Sequence, residues 1–381
     1  MNQPFSFWEN QTWLDGYDVV VIGSGIVGLY AAWELKKKAK SLRVLLLERG
    51  SIPAGASTRN AGVACFGTLS EIIDDLAHHP ASEVFGMVEK RWKGLQKLRQ
   101  NLGDKAIGFE AKGGHELFFT EQKGQHSLCM ERMDGINRTL APILGKKQTY
   151  VSADHSIVGF GFKGTEHLIR NALEGQIDSG QMMKALLEKA RAAGVEVRFG
   201  TAVKSIEDEE QAVRILCGDG SILKSKRVLL ATNGFTAALA PGIDVVPARA
   251  QVLITSAIEK LPFQGSFHFD DGYYYFRNVG KRVLFGGGRN LDFKAEETTA
   301  FGLTEKVQNQ LEHYLKNVIL PGQSYSIEQR WSGIMCMGSK RTPIVEALSK
   351  TIFCAVRLSG MGVAIGSQVG EEAADLVLAS N

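Results

Sequence analysis

The stretch from Asp18 to Glu48 constrains this chain more than any other. Asp18–Ile22 is a short valine-rich run ending at Gly23. It is too brief for a helix and apolar enough for a strand buried on both faces. Gly23-Ser24-Gly25-Ile26-Val27-Gly28 follows and leads into a helical period from about Ile26 to Lys40, after which Arg43–Leu47 forms a second apolar run ending in Glu48. Strand, helix and strand in about 30 residues make a βαβ unit. Each glycine has a task in that frame. Gly23 turns the chain, Gly25 admits a pyrophosphate close to the backbone, and Gly28 lets helix pack on strand. Ser24, Ile26 and Val27 belong to the helix N-terminus that faces the phosphates, and Glu48 accepts hydrogen bonds from ribose hydroxyls. The segment reads as a dinucleotide site.

A second match to the same pattern, Gly159-Phe160-Gly161-Phe162-Lys163-Gly164, lacks that frame. Its flank Ser152–Val158 is a poor buried strand, no acidic-ended strand follows, and a helix is expected over Thr165–Leu173. It is not assigned to phosphate. Context separates the two copies.

Composition narrows the class. The chain has 42 glycines and 9 prolines in 381 residues, where average usage near 7% gives about 27 glycines. Without a G-X-Y period this excludes collagen and points to a fold with many tight backbone approaches. The charge balance of 44 basic and 41 acidic residues, +3, predicts no nucleic-acid partner. Val19–Trp33 is charge-free but too short to span a bilayer. Five scattered cysteines form no C-x-x-C pair, and no Lys or Arg precedes Lys36, so a cytoplasmic chain is expected. The histidines show no metal-ligand spacing and no metal is assigned. No nucleophile elbow or local Ser-His-Asp arrangement suggests a hydrolase.

The rest of the chain reads as mixed. Leu69–Asn101 has a helical period with one apolar stripe, residues 105–165 look like strands and loops, and Gln181–Ala193 is a helix before the strand Val195–Phe199. Val228–Ala231 is a strand ending in Thr232-Asn233-Gly234, and residues 245–290 alternate as antiparallel sheet, with Tyr273–Arg277 and Arg282–Phe285 flanking a turn. The chain closes with a strand at Ile352–Val356, a glycine-rich turn at 359–362 and a helix to about Ala379.

Two loops choose between nicotinamide and flavin. After Glu48-Arg49, the small polar stretch through Ala56, Ser57, Thr58, Arg59, Asn60, Ala61 and Gly62 exposes many N–H groups beyond the nucleotide. Gly360-Met361-Gly362-Val363-Ala364 follows a strand and opens the last helix, whose N-terminus stabilises negative charge on a reduced flavin ring. Together with the first fingerprint they favour FAD.

These residues resemble the glycine oxidase, sarcosine oxidase and D-amino-acid oxidase group of FAD-dependent oxidoreductases. The resemblance covers nearly the whole chain. It rests on the fingerprint, Gly55–Gly62, Glu174-Gly175, Ala231-Thr232-Asn233-Gly234, Pro247–Val252, Trp331-Ser332-Gly333-Ile334 and Gly360–Ala374. The Ser6-Phe7-Trp8 arm is similar to the gamma-glutamylputrescine oxidase branch. The resemblance implies an α/β fold: a Rossmann-like FAD domain from separated segments, about 1–70, 166–240 and 330–381, and an α+β substrate domain, 71–165 and 241–329, on a mixed, largely antiparallel sheet. It also implies Val203 beside the adenine, and oxidation of the C–N bond of an amine or amino acid by hydride transfer to the flavin, with oxygen or another acceptor reoxidising it. A 2-hydroxy-acid dehydrogenase of the same fold, or a flavin-bearing subunit without turnover, are the alternatives.

One departure stands out. Where relatives continue the Trp-x-Gly-x segment with Arg-Pro, and that Arg grips the substrate carboxylate, this chain has Met335-Cys336. A methionine cannot replace a guanidinium fork, which leaves Arg277, Arg249 and Arg357 as candidates. Cys336-Met337 matches the place where sarcosine oxidase-like relatives attach FAD covalently, so a covalent bond there is weighed against a packed thiol. Tyr273 and Tyr275 share one side of a strand and are candidate pocket residues, as is Met335.

Overall fold

A computed structural model of the chain describes residues 5–209 and 211–380. The first four residues of the aromatic arm lie outside that range; within it, Phe7–Glu9 is a short helical turn capped by Ser6. The chain divides into two compact units, one of residues 1–58, 180–247 and 335–381, the other of 59–179 and 248–334.

The first unit is built on a parallel sheet. Tyr17–Ile22 lies between Val44–Leu47 and Ile222–Leu230, both parallel to it, and the sheet continues through Glu196–Arg198 on one side and Ile352–Val356 on the other. Ile344–Ala347 closes one edge antiparallel, and the hairpin strands Val203–Glu209 and Ala212–Cys217 pair onto the long Ile222–Leu230 strand. The expected βαβ unit is present: the helix Ile26–Lys38 buries every residue from Ile26 to Leu35. Its neighbour is the final helix, Gly362–Ala379, and the two approach through glycines. A methyl added at Gly366 would come within 2.6 Å of Ile26, and one at Gly370 within 2.7 Å of Tyr30.

The second unit is organised by an eight-stranded mixed sheet in the order Ile327–Met337, Val246–Thr255, Arg282–Gly287, Tyr274–Val279, Ser266–Phe269, Gly114–Phe119, Thr165–Asn171, Tyr150–Ser152. Only the Ser266–Phe269 and Gly114–Phe119 pairing is parallel among the registers recorded. One face carries a large aromatic core with Phe267, Phe276 and Phe285. The period-2 rule puts Val252, Leu284 and Tyr275 on the opposite face, where they cluster with Ala61, Ile254 and Trp331.

Three local expectations are corrected. The helical stripe from Leu69 is two helices, Leu69–His78 and Ala81–Leu102, because Pro80 lacks an N–H and disfavours helix at His79. Residues 123–144, expected as strand or loop, form a 22-residue helix. Its buried stripe includes His126, Cys129 and Asn137, polar enough to hide the period. Thr165–Asn171 is a strand and not a helix, so the second glycine pattern leads into sheet.

Candidate functional site

In the first unit the glycine turn sits at the carboxyl end of its strand. Gly23 has φ of +107°, and a methyl there would lie 2.6 Å from the carbonyl oxygen of Ala231. A methyl at Gly28 would overlap the carbonyl oxygen of Gly23. Both glycines are therefore demanded by the chain's own packing. Gly25 is different. Its φ of −66° and ψ of 176° suit any residue, and the sole close neighbour of an added methyl is the Ser57 hydroxyl at 3.3 Å. Nothing else among the described residues requires the missing side chain, so its space is open to a ligand.

Glu48 closes the turn from the next strand. Its carboxylate accepts from the Ser24 hydroxyl at 2.6 Å, the Ser24 N–H at 3.2 Å and the Gly50 N–H at 2.9 Å. A carboxylate has about four acceptor positions, so one remains for a ribose hydroxyl. No side chain caps the helix at its N-cap Gly25, although the Ile26 N–H donates to the Ser57 hydroxyl at 2.9 Å. That bond ties the start of the polar loop to the helix, and Thr58 fixes the loop by donating to the Pro53 carbonyl at 2.8 Å. The Arg49 guanidinium carbon sits over the Phe235 ring, 3.8 Å from its centre, and Val203 packs against the unit's core.

The ends of two parallel strands carry strain. Asn233, Arg357 and Ser359 are non-glycine residues with φ of 48°, 64° and 45°, a conformation costing about 1–2 kcal/mol each. The Asn233 side-chain oxygen and the Ser359 hydroxyl are also buried without a hydrogen-bond partner. Thr232 bonds Thr236 at 2.8 Å, and Gly360 and Met361 lead into the final helix, which opens with Gly362, Val363 and Ala364 and has no side-chain cap at its N-cap Met361. Ligands bind outside the carboxyl ends of such sheets. Orphaned polar atoms and an unfilled glycine cradle at those ends are what an absent, phosphorylated flat cofactor would leave, and these residues fit FAD.

In the second unit, Arg59 donates to the Ser332 carbonyl at 2.9 Å and stacks on Phe301, while Asn60 accepts from the Gly62 N–H and the Ser179 hydroxyl, both at 2.7 Å. All three candidate carboxylate-binding arginines have partners within the chain, although the Arg277 Nε is buried without one. Arg249 forms a buried fork on Glu296 at 2.8 and 3.1 Å. Arg357 is held by Asp244 and the Thr342 carbonyl. Arg277 donates Nη1 to the carbonyls of Gly62 and Ile177 at 2.9 and 2.7 Å, and burial lowers its pKa to about 10. These bonds hold backbone and helix in place. The sequence could not show this, because the partners are 47, 113, 215 and 100 residues away.

Tyr273 and Tyr275 part company. Tyr273 falls in the turn before the strand and packs on Phe293. Tyr275 lies against Gly286, its direct cross-strand partner, in the cluster with Ala61 and Trp331. Its hydroxyl has no hydrogen-bond partner among the described residues, and burial pushes its pKa up to about 12. It is a neutral donor, not a base. Met335 is half-buried with its sulfur near Gly360. Cys336 is buried in the apolar core with Val20 and Val356, and burial raises its thiol to about 11.

The sequence also missed a small pocket within the second unit whose lining includes Glu116, Glu174, His115, His268, Tyr150 and Asn171. Only Glu174 had been singled out, and for its place in a motif. They come from four strands and a loop, and only His115 and Glu116 are neighbours in sequence, so no local spacing announces them.

A parallel sheet with a glycine turn at its switch point, joined in one chain to a mixed-sheet unit, defines a two-part flavoprotein architecture. The family model described as DAO, FAD dependent oxidoreductase, matches residues 18–376, and the chain belongs to that family. It is 24% identical over 372 residues to a glycine oxidase of Bacillus licheniformis, covering 95% of this chain and 93% of the relative. The Bifunctional protein ThiO/ThiG of Synechocystis is 25% identical over 74% of this chain, which spans 40% of that relative's length. Among solved structures, the glycine oxidase from Geobacillus kaustophilus has a TM-score of 0.79 at 18% identity, covering 96% and 95% of the two chains. The L-proline dehydrogenase from P. horikoshii has 0.74 at 19%, covering 96% and 94%. The chain is an FAD-dependent oxidoreductase. No helix among the described residues is long and apolar enough to cross a membrane.

Proposed function

We propose that this protein oxidises the C–N bond of an amine or amino acid, releasing an imine that hydrolyses. The observation that carries the cofactor half is Gly25, whose missing side chain no contact in the protein explains. The names of the relatives, glycine oxidases and a proline dehydrogenase among them, support the substrate class. FAD, when bound, supplies the hydride acceptor and is returned to its oxidised form by oxygen or another acceptor. The first unit would hold the nucleotide: Gly23, Gly25 and Gly28 would shape the pyrophosphate cradle, Glu48 would take the ribose, Val203 would border the adenine, and the N-terminus of the last helix at Gly360–Ala364 would stabilise negative charge on the reduced flavin. Asn233 and Ser359 give their unpaired polar atoms to the cofactor.

The second unit carries the substrate face. Tyr275 offers a neutral hydroxyl on an otherwise apolar patch, which orients a substrate without taking its proton. Tyr275→Phe is expected to keep the fold and the bound flavin while lowering kcat/KM about tenfold, equal to roughly 1.4 kcal/mol for one lost hydrogen bond. Steady-state kinetics matching the parent would remove Tyr275 from the site.

Cys336 is read as a packing residue and the FAD as non-covalent, because a buried thiol with a pKa near 11 is a poor nucleophile at neutral pH. One preparation tests both readings. Without oxygen, a panel of amines, amino acids and 2-hydroxy acids is added and the visible flavin absorbance followed. Bleaching by an amine or amino acid is expected; bleaching by hydroxy acids alone, or by nothing, overturns the proposed reaction. The protein is then denatured and filtered. Yellow colour should pass into the filtrate, and colour retained on the protein overturns the non-covalent reading.

A further inference from the structure

Away from the flavin residues, the second unit brings together two imidazoles and a carboxylate. His126 lies in the first turns of the helix Lys123–Leu144, His167 in the strand Thr165–Asn171, and Asp154 opens the short helical turn Asp154–Ser156. One ring nitrogen from each histidine and one oxygen of Asp154 lie within 4.8 Å of each other. The two rings are parallel, 3.8 Å apart and 4° from coplanar stacking. His167 Nδ1 is 2.9 Å from one Asp154 oxygen, and the other oxygen accepts the Leu168 N–H at 2.7 Å.

An independent observation points to a ligand. His126 is 8% exposed, and its Nε2 is buried with no hydrogen-bond partner. An imidazole nitrogen stripped of water and left unbonded destabilises the fold unless a ligand satisfies it. The side chains of His167 and Asp154 remain 32% and 40% exposed, so one wall of the cluster is deep and two face solvent.

The geometry points to a binding site for a divalent transition metal of the zinc class, held by His126, His167 and Asp154. Two imidazoles and one carboxylate are borderline ligands that suit zinc and disfavour magnesium, which keeps an oxygen shell. The three donor atoms stand within 4.8 Å of one another, and zinc takes imidazole nitrogen at about 2.0–2.1 Å. Three protein ligands leave a fourth, solvent-facing position for water. The Leu168 N–H holds the free carboxylate oxygen in place, the kind of support that orients a metal ligand. The ion would clip the start of one helix to a sheet strand and its neighbouring turn. The sequence spacing of 126, 154 and 167 shows none of this.

Untagged holoenzyme, treated with a chelator and dialysed, is titrated with zinc chloride and, separately, magnesium chloride. Bound metal is measured by elemental analysis and melting temperature by scanning fluorimetry. About one zinc per chain with a raised melting temperature is expected, with no response to magnesium. Asp154→Asn keeps an oxygen for the Leu168 N–H, and His167→Gln changes a partly exposed residue, so both should fold and keep their flavin. Each should weaken zinc binding on the order of 100-fold and abolish the thermal shift. The proposal is overturned if the parent binds no zinc, if either variant binds zinc as the parent does, or if magnesium gives the same shift.

Discussion

Gly25→Ala is expected to give a folded, colourless protein. Its backbone angles suit alanine, and the one close neighbour is the rotatable Ser57 hydroxyl at 3.3 Å. The melting temperature of the apoprotein should match the parent's within about 1–2 °C, since only the Ser57 hydroxyl, which accepts the Ile26 N–H, has to give by a few tenths of an ångström. The methyl instead fills the space through which the backbone meets a pyrophosphate, and FAD affinity should fall at least about 100-fold, roughly 3 kcal/mol. Gly28→Ala makes the contrast. There the methyl overlaps the Gly23 carbonyl and meets Ala231 Cβ at 3.2 Å, so the helix must lift from the sheet. Overpacking of that kind costs about 1–3 kcal/mol or more, and both stability and flavin should be lost. Titration of the two apoproteins with FAD, beside thermal melts, separates them. Parental FAD affinity in Gly25→Ala would sink the cradle.

Stability should fall as pH rises from about 6.5 to 8, and the cavity in the second unit is the cause. Burial raises Glu116 to about 7 and Glu174 to about 8, with the charge of Glu71 adding to both. Burial lowers His115 and His268 to about 4. A carboxyl whose pKa is raised on folding makes the folded state the better proton binder, so each costs stability as pH climbs from 4.5 to its folded value. A histidine whose pKa is lowered has the opposite sign, losing stability as pH drops from 6.5 to 4. Two groups of each kind roughly cancel between pH 4.5 and 6.5. Above 6.5 the carboxyls act alone, and at about 1.4 kcal/mol per unit per group the loss to pH 8 is on the order of 3 kcal/mol. Glu174→Gln keeps an oxygen for the Phe66 N–H, which now donates to Glu174 at 3.1 Å, and removes the ionisation. Chemical denaturation across that range should show a slope in the parent that flattens in this variant. An equal slope in both would exclude Glu174 as its source. Glu116 is bonded by both the hydroxyl and the N–H of Ser70, so its substitution is the less clean test.

Much of the first unit was legible because its information is local. A valine run, three glycines and an acidic strand end lie within 31 residues of chain, and the structure has that strand, turn, helix and strand. The hairpin around Gly280 was likewise written in alternation, and observed as Tyr274–Val279 paired with Arg282–Gly287. The helix Lys123–Leu144 was not, because its inward face mixes His126 and Asn137 with apolar residues. Asn137 is buried for a tertiary reason: its amide donates to the Tyr150 carbonyl at 2.8 Å and its oxygen accepts the Thr149 and Tyr150 N–H groups. Arg249, Arg277 and Arg357 were read as candidates for a substrate carboxylate. Their partners, Glu296, two main-chain carbonyls and Asp244, lie far along the chain.

By itself the sequence determined the nucleotide fingerprint, the family and the flavin, since backbone geometry at a phosphate depends on residues a few positions apart. Only the tertiary structure decided which polar side chains are already satisfied and which are left open. It freed the Tyr275 hydroxyl, buried Cys336, gathered Glu116 with Glu174, and set His126 against His167. Hydrogen bonding and desolvation act through space between strands and helices distant in sequence, and no spacing rule encodes them.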